Sequence, residues 1–187
     1  MFDATYLQLF VNALSGTYGF QPGLTNGEFD KIELRFGFSF PPDLRQVLQF
    51  ALPVGGAFPN WRDDSDDALT GRLESPFEGI MFDVESSDFW LDDWGMKPKS
   101  EADRRSIVKS AIVKAPKLIP IFSHRFVPAE PSEAGNPVFS VHQTDIIYYG
   151  NDLADYFHRD FRVPLPEGAA TQPRSIRFWE DSLTWRD

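Results

Sequence analysis

An α-helix is predicted to begin within the stretch Leu24-Thr25-Asn26-Gly27-Glu28-Phe29. Thr25 is the expected N-cap, and Glu28, three residues later, can reach back to the backbone amide of Thr25. Leu24 and Phe29 flank this start at the spacing of a hydrophobic contact that fixes the direction of the entering chain. The stretch therefore combines three independent signals for one helix start.

A second short helix is predicted directly after the first. Gly37 is the expected end of the first helix, because glycine readily takes the left-handed conformation that closes helices. Pro41 and Pro42 suit the first positions of the next helix, where a missing N–H has no cost. Its buried face should carry residues at helical spacing, namely Leu44, Val47, Leu48 and Ala51.

The rest of the chain changes from helical to alternating patterns. We expect an amphipathic helix within residues 1–21, a strand over residues 77–84 after Pro76, and a helix that begins at Ser100. Strands should follow over residues 118–122, 138–142 and 146–149, and the last two should form a hairpin. A helix capped by Asn151 and a terminal helix from Ser175 that includes Leu183 complete the set.

This order of elements predicts an α+β fold, with a bent mixed or antiparallel sheet and helices packed on it. Two short helices lie near the N-terminal end and further helices lie at the C-terminal end. We divide the chain into a helical extension (residues 1–21), a core (residues 22–161), and a linker with a C-terminal helix (residues 162–187).

Composition excludes several classes of function. The 187 residues include 18 Lys+Arg against 28 Asp+Glu, which gives a net charge of −10, and no cysteine. Without cysteine there is no thiol catalysis, disulfide scaffold or cysteine-ligated zinc. The acidity disfavours binding to nucleic acid and to anionic membranes. No leader pattern or membrane-length apolar run is visible, so we expect a cytoplasmic protein without a cofactor.

The acidic segment 63–67 has two interpretations. As a calcium loop it would supply oxygen ligands from Asp63, Ser65, Asp67 and Glu74, although Ala68 stands where the sharp turn calls for glycine. As a solvated acidic loop it would bind no metal. We favour the second interpretation and predict no metal site and no catalytic residues.

Aromatic residues next to acidic ones form the candidate partner-binding surface. Aromatic side chains supply contact area at interfaces, and surrounding carboxylates steer a basic partner toward it. The alternative is that the two tryptophans of this surface, Trp61 and Trp90, fill the hydrophobic core. The candidate residues are Trp61, Asp63, Asp64, Asp66, Asp67, Trp90, Asp92 and Asp93.

Several segments together resemble the SUKH superfamily, which contains fungal cell-wall-assembly regulators and bacterial toxin-immunity proteins. The similarity begins at Gly23-Leu24-Thr25 and runs through Glu28. It continues over Phe36-Gly37-Phe38-Ser39-Phe40-Pro41-Pro42-Asp43-Leu44-Arg45 and Gly55-Gly56-Ala57-Phe58-Pro59-Asn60-Trp61-Arg62. Weaker matches follow over residues 118–121, 135–143 and 145–150. The resemblance implies an α+β fold with a strongly bent sheet, and a role in protein binding without a shared catalytic constellation.

The leading functional hypothesis is therefore a non-enzymatic bacterial immunity protein that binds and neutralises a basic, nuclease-type toxin. The alternative is a regulator of cell-wall or envelope assembly that acts through protein partners. A third hypothesis is a metal-dependent hydrolase that uses the acidic segments 63–67 and 92–93.

Overall fold

The computed structural model describes residues 1–62 and 66–180, and within these ranges it has the α+β fold that the sequence predicts. Its helices are α1 (Ala4–Leu14), α2 (Asn26–Phe36), α3 (Pro42–Phe50), α4 (Asp66–Ser86), α5 (Glu101–Ile112) and α6 (Leu153–Phe161). Its strands are β1 (Gly19–Pro22), β2 (Ala51–Val54), β3 (Leu118–Phe122), β4 (Arg125–Pro128), β5 (Val138–His142) and β6 (Asp145–Gly150).

The central sheet is an antiparallel meander with strand order β3-β4-β5-β6. The predicted hairpin is confirmed, since β5 and β6 are joined by the two-residue turn Gln143-Thr144. β3 is an edge strand, which accommodates Pro120 and its missing N–H. β1 and β2 form a separate antiparallel pair that the sequence did not predict.

Both faces of the meander are covered by other elements. Adjacent strand residues point to opposite sides of the sheet, so each strand contributes to two hydrophobic clusters. Ile119 and Val127 contribute to one hydrophobic cluster, here called the first core, together with α1, α2, α3 and α6. Leu118 and Phe126 contribute to a second core, together with α4, α5 and the segment before residue 180. The meander is thus the middle layer between two groups of helices.

The predicted helix start at Thr25 is confirmed. Its hydroxyl accepts from the Glu28 amide at 3.3 Å, and the Glu28 carboxylate accepts from the Thr25 amide at 2.7 Å. Gly37 ends α2 with φ 64°, in the left-handed region. Arg62 stabilises this corner further, since it donates to Glu28 Oε1 at 2.6 Å and to the carbonyl of Pro22 at 2.8 Å.

The predicted strand over residues 77–84 is wrong, because these residues belong to the long helix α4. Ile80 and Val84, one turn apart, pack into the second core. Gly79 lets the helix approach the β5–β6 turn, where an added Cβ would stand 2.9 Å from the Cα of Gln143. Pro76 lies inside the helix and does not mark its start.

Three smaller predictions also differ from the structure. Ala51 begins β2 and does not end α3. The N-cap of α6 is Asp152, not Asn151, because the Asp152 carboxylate accepts from the Asp155 amide. Residues 175–180 form an irregular segment that ends in a turn instead of the predicted helix, and Leu183 lies outside the described residues.

Both chain ends of the described structure contribute to the cores. In α1, Phe10 and Leu14 are almost fully buried in the first core. Ile176 and Trp179, each 2% exposed, belong to the second core. The described parts of the segments assigned from sequence as an N-terminal extension and a C-terminal helix therefore pack into the two cores. None of the helices in the described part of the chain is long and apolar enough to cross a membrane.

Candidate partner-binding surface

Trp61 does not lie on the surface, which removes it from the candidate binding residues. Its side chain is 4% exposed and packs edge-on against Phe40, with ring centroids 5.0 Å apart, and against Phe38. Trp61 follows residues 55–60, the part of the motif over residues 55–62 that comes directly after β2. The alternative interpretation, a tryptophan that fills the core, is correct for Trp61.

The acidic segment 63–67 is described only in part. Asp63 and Asp64 lie outside the described residues, whereas Asp66 and Asp67 begin α4, with Asp67 exposed. The calcium-loop interpretation disagrees with this arrangement, because residues from 66 to Glu74 are helical and an EF-hand loop is not. Within residues 1–62 and 66–180, no three His, Asp or Glu side chains are close enough to hold a metal ion.

The described residues of the two acidic segments do not form one patch. Asp66 and Asp67 start α4, which has 21 residues and is therefore about 30 Å long. Asp92 and Asp93 lie near the opposite end of this helix, because the Phe89 amide bonds to the Asp83 carbonyl at 3.2 Å. The expected single acidic surface around a central tryptophan is thus divided over the length of the helix.

The remaining candidate residues, Trp90, Asp92 and Asp93, lie just after the C-terminal end of α4. They belong to the turn 90–96 between α4 and α5, here called the tryptophan loop. Trp90 and Trp94 are half-buried and meet edge-to-face, with ring centroids 5.2 Å apart. Asp92 and Asp93 are exposed beside them, and Met96 is 94% exposed. In the sequence Trp94 belongs to the same cluster of aromatic and acidic residues as Trp90, although it is not among the candidate binding residues.

Hydrogen bonds connect the two ends of the tryptophan loop and join the loop to α4. The Trp90 indole donates to the Gly95 carbonyl at 2.7 Å, and Gly95 takes φ 75°, which suits a residue without Cβ. The Lys97 ammonium donates to the Val84 carbonyl at 2.8 Å and to the Asp88 carboxylate at 2.7 Å. The first bond closes the loop on itself, and Lys97, which directly follows the loop, connects it to the last turn of α4.

The loop is electrostatically negative. Lys97 holds the pKa of the Asp88 carboxyl below its usual value through their hydrogen bond. In the described part of the chain, no ion pair involves Asp92 or Asp93. Two exposed carboxylates next to an edge-to-face aromatic pair can attract and contact a cationic partner.

Two buried carboxylates of the described structure stabilise the fold. The buried Asp43, from the Pro-Pro-Asp-Leu motif, accepts from the Gly135 amide at 2.8 Å and so anchors the loop before β5, while its burial raises its pKa. The buried Asp83 accepts from the amide and hydroxyl of Thr144 and so joins α4 to the sheet. Burial lowers the pKa of His124.

A groove that the sequence did not indicate lies between α4, α5 and the C-terminal end of α2. Its volume is about 440 Å³. Apolar residues from all of these segments line it, and four cationic side chains surround them. It is separate from the tryptophan loop, because its α4 wall comes from residues 70–78, in the first two-thirds of that helix.

Comparisons with protein-family models, with curated proteins and with solved structures give no match to this chain.

Proposed function

We propose that this chain is a non-enzymatic protein-interaction domain of the SUKH type, and specifically an immunity protein that binds a basic, nuclease-type toxin. The observation that carries the proposal is the tryptophan loop: two half-buried indoles in edge-to-face contact beside two exposed carboxylates.

Each part of the loop has a distinct role in this proposal. Asp92 and Asp93 raise the association rate by attracting the basic partner, a long-range effect that salt weakens. Trp90 and Trp94 provide the contact area that water leaves on binding, and their ring faces attract Lys or Arg side chains. The fastened backbone reduces the ordering that binding requires.

The residues of the segments that resemble the SUKH superfamily support the proposed protein-binding role in a different way. Thr25, Glu28, Arg62 and Asp43 make hydrogen bonds that join segments of the fold. They are structural residues, as expected for a family that shares a scaffold and varies its binding surface. A regulator of envelope assembly would use the same scaffold, and the identity of the partner separates the two functions.

The test uses the basic toxin domain encoded beside this chain, if the gene neighbourhood contains one. Co-expression should protect cells from the toxin, and biolayer interferometry should show a complex. The double variant Asp92→Asn/Asp93→Asn should slow association severalfold and flatten its salt dependence. Trp90→Ala should weaken the complex at least about tenfold, mainly through faster dissociation.

A matched control separates local from global charge. Glu130→Gln/Glu167→Gln removes the same two charges at exposed positions away from the loop. It should leave association nearly unchanged. Equal slowing by both double variants would place the interaction elsewhere on the molecule. A neighbouring toxin that neither binds nor is neutralised would refute the immunity function.

A further inference from the structure

The groove between α4, α5 and α2 has the size of a small-molecule site. Its 440 Å³ falls within the usual range of about 300–1,000 Å³ for ligand pockets. At about 30 Å³ for each water-sized group, it has room for about fifteen such groups. It lies apart from the tryptophan loop, so a ligand-binding role for the groove does not rest on the proposed function.

The floor of the groove is apolar and already formed. Phe38, Leu118 and Trp179 line it and are at most 8% exposed, so packing on their other sides holds them in place. The Trp179 indole donates its N–H to the Pro116 carbonyl at 2.7 Å, which satisfies its polar atom. The groove therefore presents a hydrocarbon surface without unpaired polar atoms from this tryptophan.

The charge around the groove is opposite to that of the whole chain. The lining includes the four cationic residues Arg35, Arg105, Lys109 and Lys117, against the two carboxylates Glu74 and Glu78. The lining thus carries a net charge of +2, in a chain whose net charge is −10. Basic residues concentrated around an apolar floor favour a ligand with one anionic end.

The cationic side chains of the groove differ in whether they already have an ion-pair or hydrogen-bond partner. Arg105 pairs with Glu78 and lies over the Phe77 ring at 4.7 Å. Lys117 donates to the carbonyl of Phe36 at the end of α2. Lys109 lies one helical turn after Arg105 on α5 and is exposed, and no ion pair with it occurs within residues 1–62 and 66–180.

We propose that this groove binds a free medium-chain fatty acid. Lys109 receives the carboxylate, and the alkyl chain lies over Ile112 toward the buried floor. A neutral hydrocarbon would leave the cationic rim unused, and a small inorganic anion would leave the apolar floor in contact with water. An unbranched acid of about ten carbons matches both the volume and the two-part lining.

The probe is sodium decanoate, titrated into the full chain by isothermal titration calorimetry below its micelle concentration. We expect saturable binding at one site per chain. Lys109→Gln should weaken it about tenfold, which corresponds to one charge-assisted hydrogen bond. Lys114→Gln removes an exposed lysine that does not line the groove and should have no effect. Glu78→Gln should tighten binding, because it releases Arg105 toward the carboxylate.

Amide chemical-shift mapping gives a second readout. Decanoate should shift the amides of Phe77, Val113 and Leu118 and leave those of the tryptophan loop unchanged. Circular dichroism checks that each variant is folded. The proposal is overturned if decanoate does not saturate, if Lys109→Gln and Lys114→Gln behave alike, or if 1-decanol binds as tightly as decanoate. Shifts confined to another surface would also overturn it.

Discussion

The carboxylate of Glu28 should make the stability of this protein dependent on acid pH. It accepts from the Thr25 amide at 2.7 Å, from the Thr25 hydroxyl at 2.9 Å and from Arg62 Nε at 2.6 Å. The hydrogen bond from Arg62, followed by those from Thr25, lowers the pKa of Glu28 from 4.5 to about 2. Because the folded state holds the ionised form, Glu28 stabilises the fold above about pH 5, and this contribution is lost as the pH falls toward 2.

The magnitude of the effect depends on the same contacts. A pKa decrease of this size would correspond to about 3 kcal/mol if it appeared in full as stability. Solvent reaches 33% of the Glu28 side chain, so screening reduces the contribution and we expect about 1 kcal/mol. Glu28→Gln should therefore lower the free energy of unfolding by about 1 kcal/mol at pH 7, and by progressively less below pH 5.

Urea unfolding followed by circular dichroism at several pH values from 7 to 2.5 measures this difference. Glu167→Gln is the control, since Glu167 is exposed and outside the helix start. A Glu28→Gln effect that is the same at pH 7 and pH 2.5 would refute the electrostatic reasoning. So would an effect at pH 7 no larger than that of the control.

Three further substitutions test the packing of the fold, each by the free energy of unfolding in urea. Gly23→Ala should cost about 3 kcal/mol or more, because the new Cβ would stand 1.8 Å from the Gln49 carbonyl oxygen; Gly27→Ala, with no atom within 4 Å, should be neutral or slightly stabilising. Leu48→Ala, at 5% exposure, should cost about 2–5 kcal/mol, whereas Leu34→Ala, at 87% exposure, should cost less than about 0.5 kcal/mol. Asp43→Ala should cost about 1–3 kcal/mol because it leaves the Gly135 amide without its acceptor; a cost below about 0.5 kcal/mol would show that water replaces the carboxylate.

Local signals in the sequence predicted local structure well. The start of α2 was predicted correctly because its cap consists of bonds between Thr25 and Glu28, three residues apart. The hairpin β5–β6 was predicted because the two strands adjoin in sequence. In both cases the interacting groups lie within one window of the chain.

Structure that depends on distant partners was not predicted. Residues 77–84 form a short apolar run whose periodicity suits a strand or a buried helix, and Pro76 before it suggests a boundary although it lies inside α4. Contacts with the sheet and with α5 bury one helical face of this run. The pairing of β1 with β2 likewise joins segments about 30 residues apart, and nothing in either four-residue segment indicates it.

The candidate surface shows the same limit. Trp61 and Trp90 have similar acidic neighbours in sequence, yet one is in the core and the other is half-exposed. Burial is a property of the folded arrangement, so local composition could not separate them. The groove could not be predicted from the sequence either, since its walls come from α2, α4, α5 and the segment near Trp179.

The burial of both ends of the described chain has a consequence for how the molecule opens. α1 covers the first core and the segment with Ile176 and Trp179 covers the second, on opposite faces of one sheet. Each is one of several elements on its core, so its detachment would uncover part of that core while the other core stayed packed, which defines two distinct partially open forms below global unfolding. Amide hydrogens of the helices packed on the two cores would then exchange with solvent through separate fluctuations, one set by α1 and the other by the segment with Ile176 and Trp179.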